Sequence, residues 1–159
     1  MSQTFFKGRV LMLAIGLILA MSTVLWAKPG EKNPVSIEIN VKSSIKRAVP
    51  GQAITFTVEI ENKGSMMVTN LDLKCRMPEI FLFVEGKGAS EFNDKKSDRS
   101  KGIIQFDSLP LVSAGEKLTY KVVCEPQEPG IVRFRASTSF DQHATGIYDE
   151  EIIVIRTGK

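Results

Sequence analysis

Cys75 and Cys124 are the two thiols of this chain, and they pose its first chemical question. Cys75 follows Leu71 and Leu73 at every second position, and Cys124 follows Leu118, Tyr120 and Val122 in the same way. Both therefore share parity with apolar residues that face inward. In an oxidising compartment two cysteines invite a disulfide. A bridge closing about fifty residues stabilises by roughly 4 kcal/mol on the chain-entropy model if it is unstrained. Three outcomes stay open from the spacing: a bridge within the chain, two buried thiols that never meet, and bonding between chains.

The other chemistry-bearing residues are sparse. His143 is the one histidine and lies in Asp141-Gln142-His143-Ala144-Thr145-Gly146, read as a hairpin loop. Asp141 and His143 are metal-ligating types, but too few partners accompany them to make a metal site. Met66, Met67 and Met77 carry thioethers, which select copper(I). They raise the alternative of a periplasmic copper-handling sandwich. The Met-x-Met clusters such sites favour are missing, and packing by a flexible side chain is the simpler account.

Ser, Asp and His are present, but no Gly-x-Ser-x-Gly elbow holds a nucleophile. Asp149, Glu150 and Glu151 precede an apolar run, and successive strand residues point to opposite faces, a poor arrangement for an acid/base pair. A charged edge that resists aggregation accounts for them. No Gly-rich phosphate loop is present. These observations lead us to expect no enzyme, no cofactor, no metal and no small-molecule substrate.

The elements that would position these residues read as strands. Ile37, Ile39 and Val41 alternate with polar residues, as do Ile54, Phe56, Val58 and Ile60. The same period of two runs through Leu71 to Met77, Leu118 to Cys124 and Val132 to Thr138. Such alternation marks strands with one face on a core and one in water. Residues 80–84 and 103–106 are shorter candidates, and residues 152–155 read as a final strand covered on both faces. Pro50-Gly51, Asn62-Lys63-Gly64, Pro78, Gly115-Glu116, Pro129-Gly130 and Gly146 separate the runs. No apolar period of 3.6 follows residue 30. Seven or eight strands at this spacing predict an all-β, immunoglobulin-like antiparallel sandwich over residues 35–156, with a short tail at 157–159.

Residues 85–102 break the rhythm. They are polar, rich in Gly, Ser, Asp and Lys, and hold five basic and four acidic residues. Long loops in compact domains are often functional or mobile. We read this one as a solvated hairpin excursion whose contact residues would be Lys87, Phe92, Lys95, Lys96 and Arg99. Phe92, its single large apolar residue, would pin either the loop or a partner.

The N-terminus reads as an address. Lys7 and Arg9 precede an apolar stretch over residues 10–19 that continues, diluted, to Trp26 and Ala27. That is the pattern of a secretory signal over residues 1–27, followed by a short linker at 28–34. The alternative is an uncleaved anchor, with the positive residues holding the N-terminus in the cytoplasm. Both readings export the rest, to the periplasm, outer envelope or cell surface.

Twenty-one Lys and Arg against eighteen Asp and Glu give a net charge of +3, which falls to +1 without Lys7 and Arg9. No basic stripe with interleaved aromatics appears, so no nucleic-acid partner is expected.

The segment Pro50-Gly51-Gln52-Ala53-Ile54-Thr55-Phe56-Thr57-Val58-Glu59-Ile60-Glu61-Asn62-Lys63-Gly64 carries a resemblance. Val68-Thr69-Asn70-Leu71-Asp72-Leu73, Met77-Pro78, Phe81 to Val84, Ile104, Phe106, Leu109 and Gly115-Glu116-Lys117-Leu118-Thr119-Tyr120 continue it in order. Together they resemble the bacterial conserved-repeat domain catalogued as domain of unknown function number eleven, over roughly 35–155. The Asn-x-Gly step would supply the positive φ of a tight exit turn. The chain departs from the family in the insertion between Leu109 and Gly115, in Cys75 where an acid is common, and in holding one copy where the family repeats in tandem. The resemblance implies an envelope or cell-surface module, such as those in the cysteine-rich envelope proteins of chlamydia-like bacteria, and no catalytic residue. The expected function is a non-catalytic structural or protein-interaction module acting through its sheet edges and the 85–102 loop. Its expected partner is an envelope protein or a second copy. Membrane contact would come only through an uncleaved N-terminus.

Overall fold

Alternation along each strand puts every second side chain into one shared interior. The computed structural model describes residues 33–158. The signal expected at 1–27, most of the linker expected at 28–34 and Lys159 lie outside the described residues. Seven strands have seven residues or more: β1 (Ile37–Ser43), β3 (Ile54–Asn62), β4 (Val68–Arg76), β5 (Phe81–Gly88), β8 (Lys117–Pro126), β9 (Gly130–Phe140) and β10 (His143–Ile155). Three are short: β2 (Arg47–Ala48), β6 (Ile103–Gln105) and β7 (Leu109–Val112).

They form two sheets. The four-stranded sheet runs β1-β3-β8-β5, and the six-stranded sheet runs β2-β10-β9-β4-β6 with β7 paired to the first half of β4. All pairings are antiparallel except the two-residue match of β2 with β10. The expected all-β sandwich is the fold of the described residues.

The core lies between the sheets. Phe56 of β3 and Phe134 of β9 stack across it, with ring centroids 4.1 Å apart and planes 5° from parallel. Tyr120 of β8 meets Phe106 edge-on at 4.8 Å. Each buried aromatic of this size contributes on the order of 2–3 kcal/mol by leaving water.

One backbone feature keeps β4 in register. Asn70 has φ 52°, the one positive φ at a non-glycine residue among those described. Val68 and Leu71 are both buried although three positions apart. The left-handed residue breaks the alternation while the register with β7 runs on across it, so both halves of β4 turn their apolar residues inward. Asn70 tolerates αL better than most side chains, and here its amide also donates to Asp141.

Several expectations need correction. The last strand is thirteen residues long, not four, and Ile152 is half exposed, so its outer face is not covered. Residues 85–88 belong to β5, so the excursion is shorter than expected. The Asn62-Lys63-Gly64 turn uses no positive φ. Instead Asn62, fully buried, donates its amide to the Met66 and Val112 carbonyls (2.9 and 3.2 Å) and accepts the Gly64 N–H (3.1 Å). Gly64 is needed for close approach: a Cβ there would lie 2.7 Å from the Pro34 carbonyl oxygen.

Candidate functional site

A sandwich has sheet edges, and an unpaired edge is where another chain can add. Strand β1 bounds the four-stranded sheet on one side. Its Val41 N–H donates to Asp149 Oδ2 at 2.8 Å and its Ser43 N–H to Glu151 Oε1 at 3.3 Å. Both carboxylates come from β10 of the other sheet, where Glu151 shares inward parity with Ile153 and Ile155. They occupy donors that an incoming strand would need. Lys46 and the Ser43 hydroxyl complete the shell around Glu151. Burial pushes the Glu151 carboxyl up. The bonds from Lys46 and Ser43 outweigh burial and leave it below the ordinary value.

The edges of the six-stranded sheet are blunted in other ways. β2 is two residues long and pairs only Val154 and Ile155 of β10. Ahead of them β10 has β9 as its one strand neighbour among the described residues, and carries a register shift and the acids Asp149, Glu150 and Glu151. β7 carries Pro110. β6 is covered by the segment before it, through bridges between Phe92 and Phe106 and between Asp98 and Ile103.

Strand β5 is different. The Phe81 N–H is taken by the Pro78 carbonyl in the turn that opens the strand, at 3.0 Å. Apart from this and its pairing with β8, no backbone group of β5 has a backbone partner among the described residues. Leu82 and Val84 are 54% and 50% exposed. A register shift between Phe83 and Glu85 leaves Val84 without a partner on β8. Beyond it the strand needs Gly88, because any Cβ there would run into the Tyr120 ring. The result is a short, aliphatic, unpaired edge.

The 89–102 segment packs on Phe83 of this strand and is cross-linked by its own bonds. Phe92 packs against Phe83 (centroids 4.9 Å) and Phe106 (6.4 Å), so it pins the loop itself. The Arg99 guanidinium sits 5.1 Å from the Phe83 ring centre and 5.5 Å from that of Phe92, and pairs with Asp94 at 2.8 Å. Asp98 accepts from the Lys101 N–H and holds the single 3₁₀ turn, Arg99–Lys101. Its bonds with the Lys101 and Ser100 side chains lower the Asp98 carboxyl to about 2. The excursion thus carries a bonded structure of its own.

Of the five expected contact residues, Lys87 pairs with Glu85 at 3.2 Å, while Phe92 and Arg99 serve the loop's own packing. Lys95 and Lys96 are exposed, with no carboxylate partner among the described residues.

Cys75 and Cys124 are free thiols, both buried, on facing sheets. Burial raises both, Cys124 to about 12, and the nearness of Cys124 raises Cys75 further. Neither sulfur reaches the surface, so bonding between chains has no exposed thiol to start from.

His143 is exposed in the β9–β10 hairpin, with Thr145 Oγ1 3.2 Å from its Nε2. Asp141 is engaged by Thr69 (2.7 Å) and Asn70 (2.8 Å). No group of three His, Cys, Asp or Glu able to hold a metal occurs among the described residues. Met66 and Met67 are exposed before β4 and Met77 is buried after it. The nine residues of β4 span about 30 Å, so the three thioethers do not meet. Of the paired acids, Glu150 faces outward to Arg133 (3.1 Å) and Arg135.

The role of Asp149 and Glu151 as edge caps escaped the sequence reading. The available signal was their parity with Ile153 and Ile155, which places two carboxylates on the inward face of a strand.

No family model matches the chain, and no curated protein matches it. Solved structures share its fold. A cohesin module of a family 33 glycoside hydrolase from Clostridium perfringens superposes with TM-score 0.55 at 15% identity, covering 79% of this chain and 99% of the module. A type I cohesin from Pseudobacteroides cellulosolvens gives 0.51 at 14%, covering 76% and 94%. A CARDB domain from Pyrococcus furiosus, solved in complex with di-metal ions, gives 0.53 at 8%, covering 77% and 89%. At these identities the likeness is one of fold.

Proposed function

We propose that this protein is an exported, non-catalytic β-sandwich that works by contact, taking an extended segment of a partner as an added strand on β5. The observation that carries this reading is the contrast between edges. β1 is capped by two carboxylates, β2, β6 and β7 are short or covered, β10 ahead of β2 is blunted by a register shift and three acids, and β5 presents an unpaired backbone beside exposed Leu82 and Val84. Strand addition draws affinity from main-chain bonds and specificity from alternate side chains, and β5 offers both. Lys95 and Lys96 on the neighbouring loop favour a partner segment with an acidic flank.

The basic and apolar N-terminal sequence supports export, and the resemblance to the conserved-repeat domain supports an envelope or cell-surface setting. Non-catalytic cohesin-type modules of the same fold support a contact role. The partner is an envelope protein or a second copy.

The test is photo-crosslinking in cells that make the protein. A photoreactive residue at position 82 yields a discrete adduct, and one at position 40, beside the capped edge, yields none. Val84→Pro removes the adduct while the circular dichroism spectrum stays native. No adduct from position 82, or one that survives Val84→Pro, overturns the proposal.

A further inference from the structure

The outer face of the six-stranded sheet is separate from β5 and has a chemistry of its own. The registers place its side chains in rows across the strands. One row runs Gln105, Lys74, Ser137, Tyr148 across β6, β4, β9 and β10. The next sets Arg76 directly opposite Arg135, which is opposite Glu150. Like charges directly opposite on a sheet destabilise it. Glu150 bonds Arg135 and Arg133, which leaves Arg76 and its neighbour Lys74 with no ion-pair partner among the described residues. The fold thus keeps a local electrostatic conflict on an exposed face, and such conflicts concentrate at functional sites.

Beside these cations is a shallow groove of about 390 Å³. Ser137, Ser139, Thr145 and Gln105 line it with hydroxyl and amide groups, Asp72 adds one carboxylate, and Tyr148 supplies a ring that is 59% exposed. The Arg135 guanidinium lies 4.5 Å from the centre of that ring and holds it in place. The strands that carry Lys74, Arg76, Ser137 and Ser139, β4 and β9, are each paired on both sides, so no strand can add between them. A ligand must use side chains alone.

We infer that this face binds an acidic glycan, its carboxylates on Lys74 and Arg76 and its sugar rings on Tyr148 and the hydroxyl groups of the groove. Charge complementarity selects an anion. A groove of hydroxyl and amide groups with one carboxylate, Asp72, to accept from sugar hydroxyls, and one aromatic platform, suits a sugar better than an acidic peptide, which would need pockets for its side chains.

Affinity electrophoresis at fixed salt tests this, with polygalacturonate, neutral dextran and poly-glutamate as probes. Polygalacturonate retards the protein and the other two do not. The double variant Lys74→Gln, Arg76→Gln weakens retardation about tenfold, as loss of two charge-assisted contacts requires. Tyr148→Ala weakens it as well, and Val84→Pro leaves it unchanged, which separates this surface from the β5 edge. Arg76→Gln holds or raises the thermal midpoint, because it relieves the repulsion with Arg135. Absence of retardation, equal retardation by poly-glutamate, or full retardation of the double variant overturns the inference.

Discussion

Asp149 Oδ2 lies 2.8 Å from the backbone nitrogen of Val41 and accepts its N–H across the corner between two sheets. Two residues further along both strands, Glu151 does the same for Ser43. The spacing matches because both strands repeat every second residue. Two carboxylates thus stand in for the backbone carbonyls of a missing neighbouring strand. They leave β1 closed to addition and β5 open.

Removing a cap should destabilise the fold and open the edge together. Asp149→Ala leaves the Val41 N–H without its acceptor and is expected to cost about 1–2 kcal/mol in urea unfolding. Asp149→Asn keeps an acceptor oxygen and is expected to cost less. The alanine variant should also self-associate more than the wild type in sedimentation as concentration rises. Equal stability of Asp149→Ala and wild type would show that the bond adds nothing.

Acid should act through Glu151. Its folded-state value lies below the ordinary 4.5, so its contribution is fully present above pH 4.5 and is lost as pH falls through the folded value. Urea midpoints measured downward from pH 5 should therefore decline, and Glu151→Gln should flatten that decline. A variant with an unchanged acid profile would assign the loss to other carboxylates.

Five of the long strands, β1, β3, β4, β8 and β9, were legible because each half-buried strand writes its two faces into the sequence. The first nine residues of β10 were not, because the inward positions include Asp149 and Glu151, which are polar by type and take their meaning from β1, 108 positions away. β7 was hidden for a related reason: Leu109–Val112 looks like an insertion until it pairs with the first half of β4. The loop contacts were legible as residues but not as roles, since Phe92 and Arg99 find Phe83 only once β5 is in place. An open edge is a property of pairing, which no single strand records.

The thiols should be silent in the native state. Burial raises both, so the folded protein keeps its thiols protonated where the unfolded chain ionises near 9.0. Their contribution to stability is complete below pH 9 and is lost as pH rises from there toward about 12 for Cys124. A thiol reagent at pH 8 should label neither cysteine until urea is added, and then both. Rapid native labelling, or an intact mass two hydrogens lower without reductant, would contradict the buried free pair.

The Asn62 turn offers a structural control. Asn62→Ala removes the amide donor from the Met66 and Val112 carbonyls, while the Gly64 N–H keeps the Ser36 carbonyl, and is expected to cost about 1–3 kcal/mol. Gly64→Ala should cost a comparable amount because its Cβ meets backbone at Pro34 and Ser36. Thermal midpoints within a degree of wild type for both would remove the turn from the account of stability.

The contrast between the capped and open edges is tested most directly by residue-resolved amide hydrogen exchange on the free protein. The account predicts strong protection at Val41 and Ser43, and fast exchange at alternate amides of 82–87, those turned away from β8. Uniform protection along β5, or free exchange at Val41 and Ser43, would contradict it.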